Sequence, residues 1–309
     1  MDYIETLHSH HTPRSWATIG AFDGVHSGHS MLFERLTQGA REAGCQSVAI
    51  TFDPLPALYF NRIKTGQLLT SLDERIALIK SQGVDEVVVL EFNDALSNVA
   101  AADFMRQVKD AIGLERLLAG FNFSVGKDRL GTVAELKDIG SRMEFSVEVV
   151  QPVRHEREII SSSAIRNLLK AGEIEKANHY LGRQYTLSGQ VIHGEHRGGK
   201  LGIPTANLSI PEERLLPANG VYASVAIING RRYTAVTNIG VRPTFENPLP
   251  APRVEPHLLD TEEEFYGDLL ELSLISYLRP EIKFINAQAL VDQIHKDIQQ
   301  TRELITDET

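Results

Sequence analysis

Residues Thr18 to Ser30 read Thr-Ile-Gly-Ala-Phe-Asp-Gly-Val-His-Ser-Gly-His-Ser, and no other stretch narrows the fold as much. Ala17, Thr18 and Ile19 read as a short buried strand that breaks at Gly20. Beyond the glycine-punctuated turn, Leu32, Leu36 and Ala40 recur on one helical face. The run therefore predicts strand, turn and helix, with His26 and His29 where the strand's carboxyl end meets the helix amino terminus. Unpaired backbone N–H groups and the positive end of the helix dipole favour an anion there. Two imidazoles flanking Gly28 add hydrogen bonds to phosphate oxygens, and the bare Gly28 lets a nucleotide approach the backbone. A pair of solvated histidines near a turn is the plainer reading of so short a pattern. The full run Gly20–His29, set on a strand–turn–helix, favours the anion site.

The same alternation continues through the first half. Ser47–Phe52 is a second apolar run, stopped at Asp53-Pro54-Leu55-Pro56, where prolines forbid continuation. Ser71 and Glu74 form a capping box ahead of Ile76 and Ile79, and Gly83 ends that helix. Glu86–Glu91, Arg116–Ala119 and Phe145–Val150 read as further strands. Phe104, Met105, Val108 and Ile112 form the stripe of a helix that stops at Gly113, and a shorter helix centres on Leu136. Strands alternating with amphipathic helices predict an α/β doubly wound parallel sheet covered on both faces. Ligands of such sheets sit outside the carboxyl ends of the strands. That rule gathers Gly20–His29, Asp53–Pro56 and the loop Gly120–Gly131 on one rim. Further on, Ser161 or Ser162 is placed to cap a helix carrying Ile165 and Leu169. Capping accounts for one serine, not for Ser161, Ser162 and Ser163 followed by Arg166. Arginine holds a phosphate by parallel hydrogen bonds that lysine cannot reproduce.

Past Gly182-Arg183-Gln184 the pattern changes to short alternating runs between turns. Val221–Ile228 and Arg231–Ile239 flank Asn229-Gly230, a hairpin signal. Arg253–Asp260 and Leu269–Leu278 are expected to pair with each other across Tyr266-Gly267-Asp268. Closing these strands into a small antiparallel β-barrel removes exposed edges. A C-terminal helix with Leu290, Ile294 and Ile298 at four-residue spacing is expected on the barrel wall. His193–Gly202, with Gly198, Gly199, Lys200 and Gly202, is a glycine-rich basic loop suited to wrapping phosphates. Thr205 and Asn207, two residues apart in an extended segment, face one side as neutral oxygen ligands for Mg²⁺ would. Glu255 lies on a strand, where a carboxylate can take a proton from a hydroxyl. Each has a plainer reading, as a flexible loop, a turn and a solvated strand residue.

At 309 residues the chain is long for one core, so domains 1–183 and 184–309 are expected. The net charge of −10 argues against a nonspecific nucleic-acid binder. Cys45 is the single cysteine, which excludes an internal disulfide. With no long apolar run, signal peptide or lipidation motif, the chain is expected to be cytoplasmic, with neither membrane nor nucleic acid as partner. A homo-oligomer is compatible with all of this. His8, His10 and His11 are expected on a frayed, solvated terminus rather than at a metal.

Gly20–His29 resembles the adenylyl-transfer signature of the nucleotidylyltransferase superfamily. More narrowly, it resembles the opening motif of the bacterial bifunctional riboflavin kinase/FMN adenylyltransferases (FAD synthetases), Gly-x-Phe-Asp-Gly-Val-His-x-Gly-His, at every fixed position. The loop from Gly120 is similar to that family's Gly-x-(Asp/Asn)-Phe-x-Phe-Gly, with Val125 for the second Phe. Ser161–Arg166 resembles its Ser-Ser-Thr-x-Ile-Arg, with Ser163 for the Thr. Leu55 stands where the family usually has histidine, which removes a polar group near the nucleotide. Gly202–Asn207, Asn238–Phe245 and Glu255–Asp260 resemble, in order, the riboflavin kinase elements Gly-x-Pro-Thr-Ala-Asn, Asn-Ile-Gly-x-Arg-Pro-Thr-Phe and Glu-x-His-(Leu/Ile)-Leu-Asp. Pro256 replaces the commoner Val and lacks a ladder donor, so a free strand edge is expected there. Glu246–Pro252 replaces a glycine-rich connection and is expected to be an exposed loop.

The resemblance covers nearly the whole chain and implies a nucleotidylyltransferase-like domain followed by a riboflavin kinase barrel. It implies ATP-dependent phosphorylation of riboflavin to FMN and adenylylation of FMN to FAD, with Mg²⁺ as the metal. Carried over residue by residue, it places Gly20, Phe22, Asp23, Gly24, Gly28, Ser161, Ser162 and Ser163 at one nucleotide. Gly198, Gly199, Lys200 and Gly202 fall to the other. His26, His29 and Arg166 stabilise charge in the adenylyl transfer. Asn122, Asn238, Arg242, Thr244 and Phe245 meet flavin, Thr205 and Asn207 the metal–nucleotide, and Glu255 is the general base. The alternatives are a kinase alone, another nucleotidylyltransferase fused to a flavin-binding barrel, or a flavin- or nucleotide-binding regulator.

Overall fold

The computed structural model describes residues 3–193, 205–240, 253–261 and 263–306. It divides into two compact units, Met1–Ser162 and Ser163–Thr309. The first unit contains β1 (Ser15–Ile19), β2 (Gln46–Asp53), β3 (Glu86–Glu91), β4 (Leu114–Gly120), β5 (Ser124–Val125), β6 (Gly131–Thr132), β7 (Ser146–Val150), β8 (Arg154–His155) and β9 (Glu158–Ile159). One five-stranded sheet of order β3-β2-β1-β4-β7 is parallel throughout, as the strand–helix alternation predicts. The order reverses between β1 and β4, so the loops leaving those strands diverge and open a crevice at their carboxyl ends.

Both faces of the sheet are covered. Helix Ser27–Ala43 buries Leu32, Phe33, Leu36 and Ala40 against Trp16, Ala49 and Leu118. On the other face, helices Ala101–Ile112 and Val133–Met143 bury Phe104, Met105, Val108 and Leu136 against Ala17, Ile19, Val48 and Ile50. Each fully buried Leu or Phe contributes about 1.5–3 kcal/mol. The capping box at Ser71 and Glu74 is formed, and Gly113 ends its helix in the left-handed conformation. The amino terminus departs from the expected frayed tail. Tyr3–Ser9 is a helix whose buried Tyr3 and Leu7 join the core, and His10 Nδ1 meets Glu86 Oε1 at 2.6 Å. Apolar side chains four residues apart gave that segment a face to bury.

The second unit holds β10 (Tyr185–Ile192), β11 (Asn207–Ser209), β12 (Gly220–Ile228), β13 (Arg231–Gly240), β14 (Arg253–Leu258) and β15 (Leu269–Arg279). They close an antiparallel barrel of order β10-β11-β14-β13-β12-β15. The expected pairing of 253–260 with 269–278 does not occur. β14 lies between β11 and β13, whereas β15 lies between β10 and β12. A hairpin needs a loop of about two to five residues. Leu259–Asp268 is longer and lets the two strands take other partners. Pro256 sits opposite Thr237, and its carbonyl accepts Ala206 N–H at 2.9 Å. A strand residue's N and C=O point the same way, so the missing donor faces the β11 side, where pairing is confined to Leu208↔Val254.

Helix Ala287–Thr306 packs on β12, β13 and β15. Its buried residues there are Asp297, Thr301 and Ile305, with Leu290, Ile294 and Ile298 only half-buried beside them. All six residues share one helical face, as the four-residue spacing predicts, and Asp297 there meets Arg279, at the end of β15. Its Nε and Nη2 donate to the Asp297 carboxylate at 2.7–3.1 Å. Helix Ile174–Leu181 also belongs to this unit. Asn178 donates to Leu274 O at 2.8 Å and accepts from Tyr185 N at 2.7 Å. Leu169 O accepts Ala218 N–H at 2.9 Å. The contact division thus precedes both helices, while the expected boundary at 183/184 follows them.

Candidate functional site

The loop after β1 is short and strained. Phe22 (φ 49°), Gly24 (φ 84°) and Val25 (φ 37°) all have positive φ, and a β-branched residue rarely adopts that conformation. Buried groups hold it in place. Asp23, 1% exposed, accepts from Leu69 N at 3.0 Å and from Thr70 N and Thr70 Oγ1, each at 3.1 Å. Thr70 Oγ1 in turn accepts Gly24 N–H at 3.1 Å, and Ser162 Oγ donates to Asp23 O at 2.8 Å. Phe22 packs its ring on Phe33 and edge-on to His29. A Cβ at Gly20 would lie 2.8 Å from that ring, so any larger residue there would push Phe22 out of its packing. The side chains of Phe22 and Asp23 therefore face the interior and shape the loop.

Helix Ser27–Ala43 begins directly after this loop, with His26 as its N-cap residue. His26 and His29 share the first turn, their rings stacked with centroids 3.7 Å apart. A Cβ at Gly28 would come within 3.1 Å of the His26 ring. The predicted arrangement, two imidazoles on a helix terminus at the sheet's crevice, is present. Ser161 and Ser162 are half-buried, and Ser163 is exposed. Ser162 is committed to Asp23 O rather than to a capping bond. Arg166 is buried on helix Ser162–Ala171.

Beside the motif loop lies a cavity of about 880 Å³, walled by Gly20, Ala21, Phe52, Asn122 and an aromatic group of Tyr59, Phe60 and Phe92. Phe92 meets Tyr59, Phe60 and Phe52 in edge-to-face contacts at 5.2–5.7 Å. Phe60 remains 48% exposed, with the Arg62 guanidinium 5.5 Å from its ring centroid. Sequence reasoning missed these aromatics. They come from the short helix Pro56–Tyr59 with its cap Phe60 and from the residue after β3, and no periodicity links them. Val125 lines the same cavity, whereas Leu55 is 2% exposed and packs inward.

In the barrel, register does the assembling. Asn238 lies directly opposite Glu255, and the pair Leu208↔Val254 puts Asn207 next to Glu255 on the other side. Residues directly opposite on antiparallel strands share a face. Asn207, Glu255 and Asn238 thus form one half-buried row across three strands. Asn238 Nδ2 donates to Glu281 Oε1 at 3.3 Å. Thr205 is exposed just ahead of β11. Gly198, Gly199, Lys200, Gly202, Arg242, Thr244, Phe245 and the segment Glu246–Pro252 lie outside the described residues.

The FAD synthetase family matches residues 8–164, and the riboflavin kinase family matches residues 181–305. A Listeria monocytogenes protein named bifunctional riboflavin kinase/FMN adenylyltransferase is 35% identical over 97% of this chain and 98% of its own. Proteins of the same name from Bacillus subtilis (34%, covering 97% of both chains) and Pseudomonas fluorescens (36%, covering 93% of this chain and 92% of its own) are similarly close. A crystal structure described as a macrolide-efflux protein from Streptococcus pneumoniae is 30% identical, with a TM-score of 0.87 over 94% of this chain and 95% of that one. Among the described residues here, no helix is long and apolar enough to cross a membrane.

Proposed function

The chain belongs to the bifunctional riboflavin kinase/FMN adenylyltransferase family, and from that premise we propose how its residues divide the work. It phosphorylates riboflavin to FMN with ATP and adenylylates FMN to FAD with a second ATP. The observation that carries the residue assignment is the stacked His26–His29 pair on a helix terminus, at the end of a loop whose start, Gly20 and Ala21, walls an aromatic-lined cavity.

For adenylyl transfer, an FMN phosphate oxygen attacks the α-phosphorus of ATP and pyrophosphate leaves. A phosphate monoester is already anionic, so no strong base is needed. Imidazole N–H groups of His26 and His29 and the helix N–H groups stabilise charge on the α-phosphate oxygens of the transferring adenylyl group. The flavin ring stacks among Tyr59, Phe60 and Phe92, with Asn122 at its edge. Arg166 and the serines before it are assigned to the phosphates on their motif.

For the kinase, Glu255 takes the proton of the ribityl 5′-hydroxyl as that oxygen attacks the γ-phosphorus of ATP, and the bond to the bridging oxygen breaks to release ADP. Asn238, in the same row, orients the flavin. A divalent metal accompanies ATP in reactions of this class, and we assign Mg²⁺. The Thr205 hydroxyl and Asn207 amide oxygen beside Glu255 are hard, neutral donors that fit it. Bound there, the ion would draw negative charge from the phosphates. We read the enzyme as cytoplasmic, in keeping with its single, unbridged cysteine. Its partners are the small molecules riboflavin, FMN and ATP. The test is to incubate the protein with riboflavin, ATP and Mg²⁺ and to resolve the flavins by chromatography. FMN followed by FAD is expected, and appearance of neither would end this reading.

A further inference from the structure

Behind the cavity wall, and not part of its lining, lies a charged group that the mechanism does not use. Arg75 is 1% exposed, on the first turn of helix Leu72–Ser81. Its Nη2 donates to Phe52 O at 2.9 Å and its Nη1 to Ala21 O at 3.3 Å. Ala21 and Phe52 both belong to the cavity wall. One guanidinium thus ties the end of β2 to the loop following β1. The Asp53 carboxylate is 4.0 Å away, and Nε has no hydrogen-bond partner among the described residues.

Two carbonyls and two carboxylates, Asp23 and Asp53, neither of them hydrogen-bonded to the guanidinium, are thin compensation for burying a charge, so stability alone explains Arg75 poorly. Burial pushes its pKa down, while Asp23 and Asp53 hold it up. Its neighbours in sequence act on the same loop, since Leu69 N, Thr70 N and Thr70 Oγ1 bind Asp23. The whole segment Leu69–Arg75 therefore grips the strained loop from the side away from the ligand. A planar fork with several donors can hold two carbonyls from different strands at once, whereas a lysine ammonium is a point charge.

We propose that Arg75 is a positioning residue for adenylyl transfer, fixing the Ala21 and Phe52 backbone so that the histidine turn and the cavity wall stay in register. Thr70 and Asp23 are the polar arm of the same device. The inference rests on the adenylyl reading above. A positioning residue acts on turnover rather than on affinity, because substrates still bind a loop that is slightly misplaced.

The test measures kcat and KM for FMN adenylylation, riboflavin phosphorylation and thermal unfolding in wild type, Arg75→Met, Arg75→Lys and Thr70→Val. Folded Arg75→Met is expected to lose about 10²-fold in kcat, the scale of a 1 Å misplacement. Both KM values should stay within about threefold, and the kinase rate should not change. Arg75→Lys should fall between, and Thr70→Val should lose roughly tenfold. A folded Arg75→Met with wild-type kcat overturns the proposal. So does a loss confined to KM or to melting temperature. Should Arg75→Met not fold, unchanged kcat in folded Thr70→Val and Arg75→Lys overturns it equally. Wild type that makes FMN but no FAD would instead refute the adenylyl reading itself, before any variant is compared.

Discussion

The two proposed centres are built from different materials. In the first unit the site is a strained loop feeding a helix terminus, and its geometry comes from groups buried behind it. Asp23 and Arg75 face away from the cavity, yet they decide where Gly20–His29 runs. In the barrel the site is a row, Asn207–Glu255–Asn238, whose geometry is the register of three paired strands. A loop can deform a little at a time, so changes behind it act by degree. A ladder slips by whole residues, and one step turns every side chain to the other face. The loop centre should therefore answer to remote buried substitutions, and the barrel centre chiefly to its own row.

The sharpest attempt to break that contrast is Glu255→Gln, which keeps the shape and removes the base. Riboflavin phosphorylation should fall by about 10²–10⁴-fold, while supplied FMN is still converted to FAD. An unchanged kinase rate would take Glu255 out of the mechanism. The mirror experiment is His29→Ala. FAD formation should drop by about 10²–10³-fold with FMN formation intact, and equal rates in variant and wild type would move the centre elsewhere.

Truncation probes whether each centre lives in its own unit. A fragment Ser163–Thr309 is expected to fold and form FMN. A fragment Tyr185–Thr309 lacks Asn178 and Leu169 as hydrogen-bond partners and strips away Ile174, Ala177, Tyr180 and Leu181, all buried. It should be less stable by about 3 kcal/mol or more. Matching melting temperatures for the two fragments would free the helices from the barrel.

The smallest effect expected is electrostatic and confined to the first unit. Glu148 on β7 accepts from Arg35 Nε at 2.8 Å and Arg116 Nη1 at 3.1 Å. Burial works to raise its pKa, but Arg35 and then Arg116 hold it below the ordinary glutamate value. A carboxylate held low stabilises the fold above the unfolded value near pH 4.3 and loses that contribution as pH falls through the folded value. Glu148→Gln should thus cost less than about 1 kcal/mol at pH 7 and progressively less below about pH 4. Urea midpoints at the two pH values check this, and a pH-independent difference would rule out the ion pairs as its source.

Local signals in the chain were reliable where the physics is local. The Ser71–Glu74 capping box, the stop at Gly113, the Asn229-Gly230 turn and the strand–turn–helix around His26 depend on neighbours a few residues away. The candidate site was legible where its residues share a motif, as His26 and His29 do. The aromatic wall was not, since Tyr59, Phe60 and Phe92 meet only because β2 and β3 are adjacent in the sheet.

By itself the sequence determined the parallel α/β sheet, the barrel and the two motif-bearing centres, because periodicity, caps and turn residues act over one or two turns of chain. Tertiary structure alone decided the partners. It put Asp23 against Thr70, 47 positions away, turned Arg75 inward from a charged helix start, and set β14 beside β13 instead of β15. It also paired Asp297, on the predicted face of the last helix, with Arg279. Burial and strand register are properties of the whole packed chain. A buried charge or a ladder partner is chosen by what else must be satisfied at that point in space, and no short window of sequence contains that information.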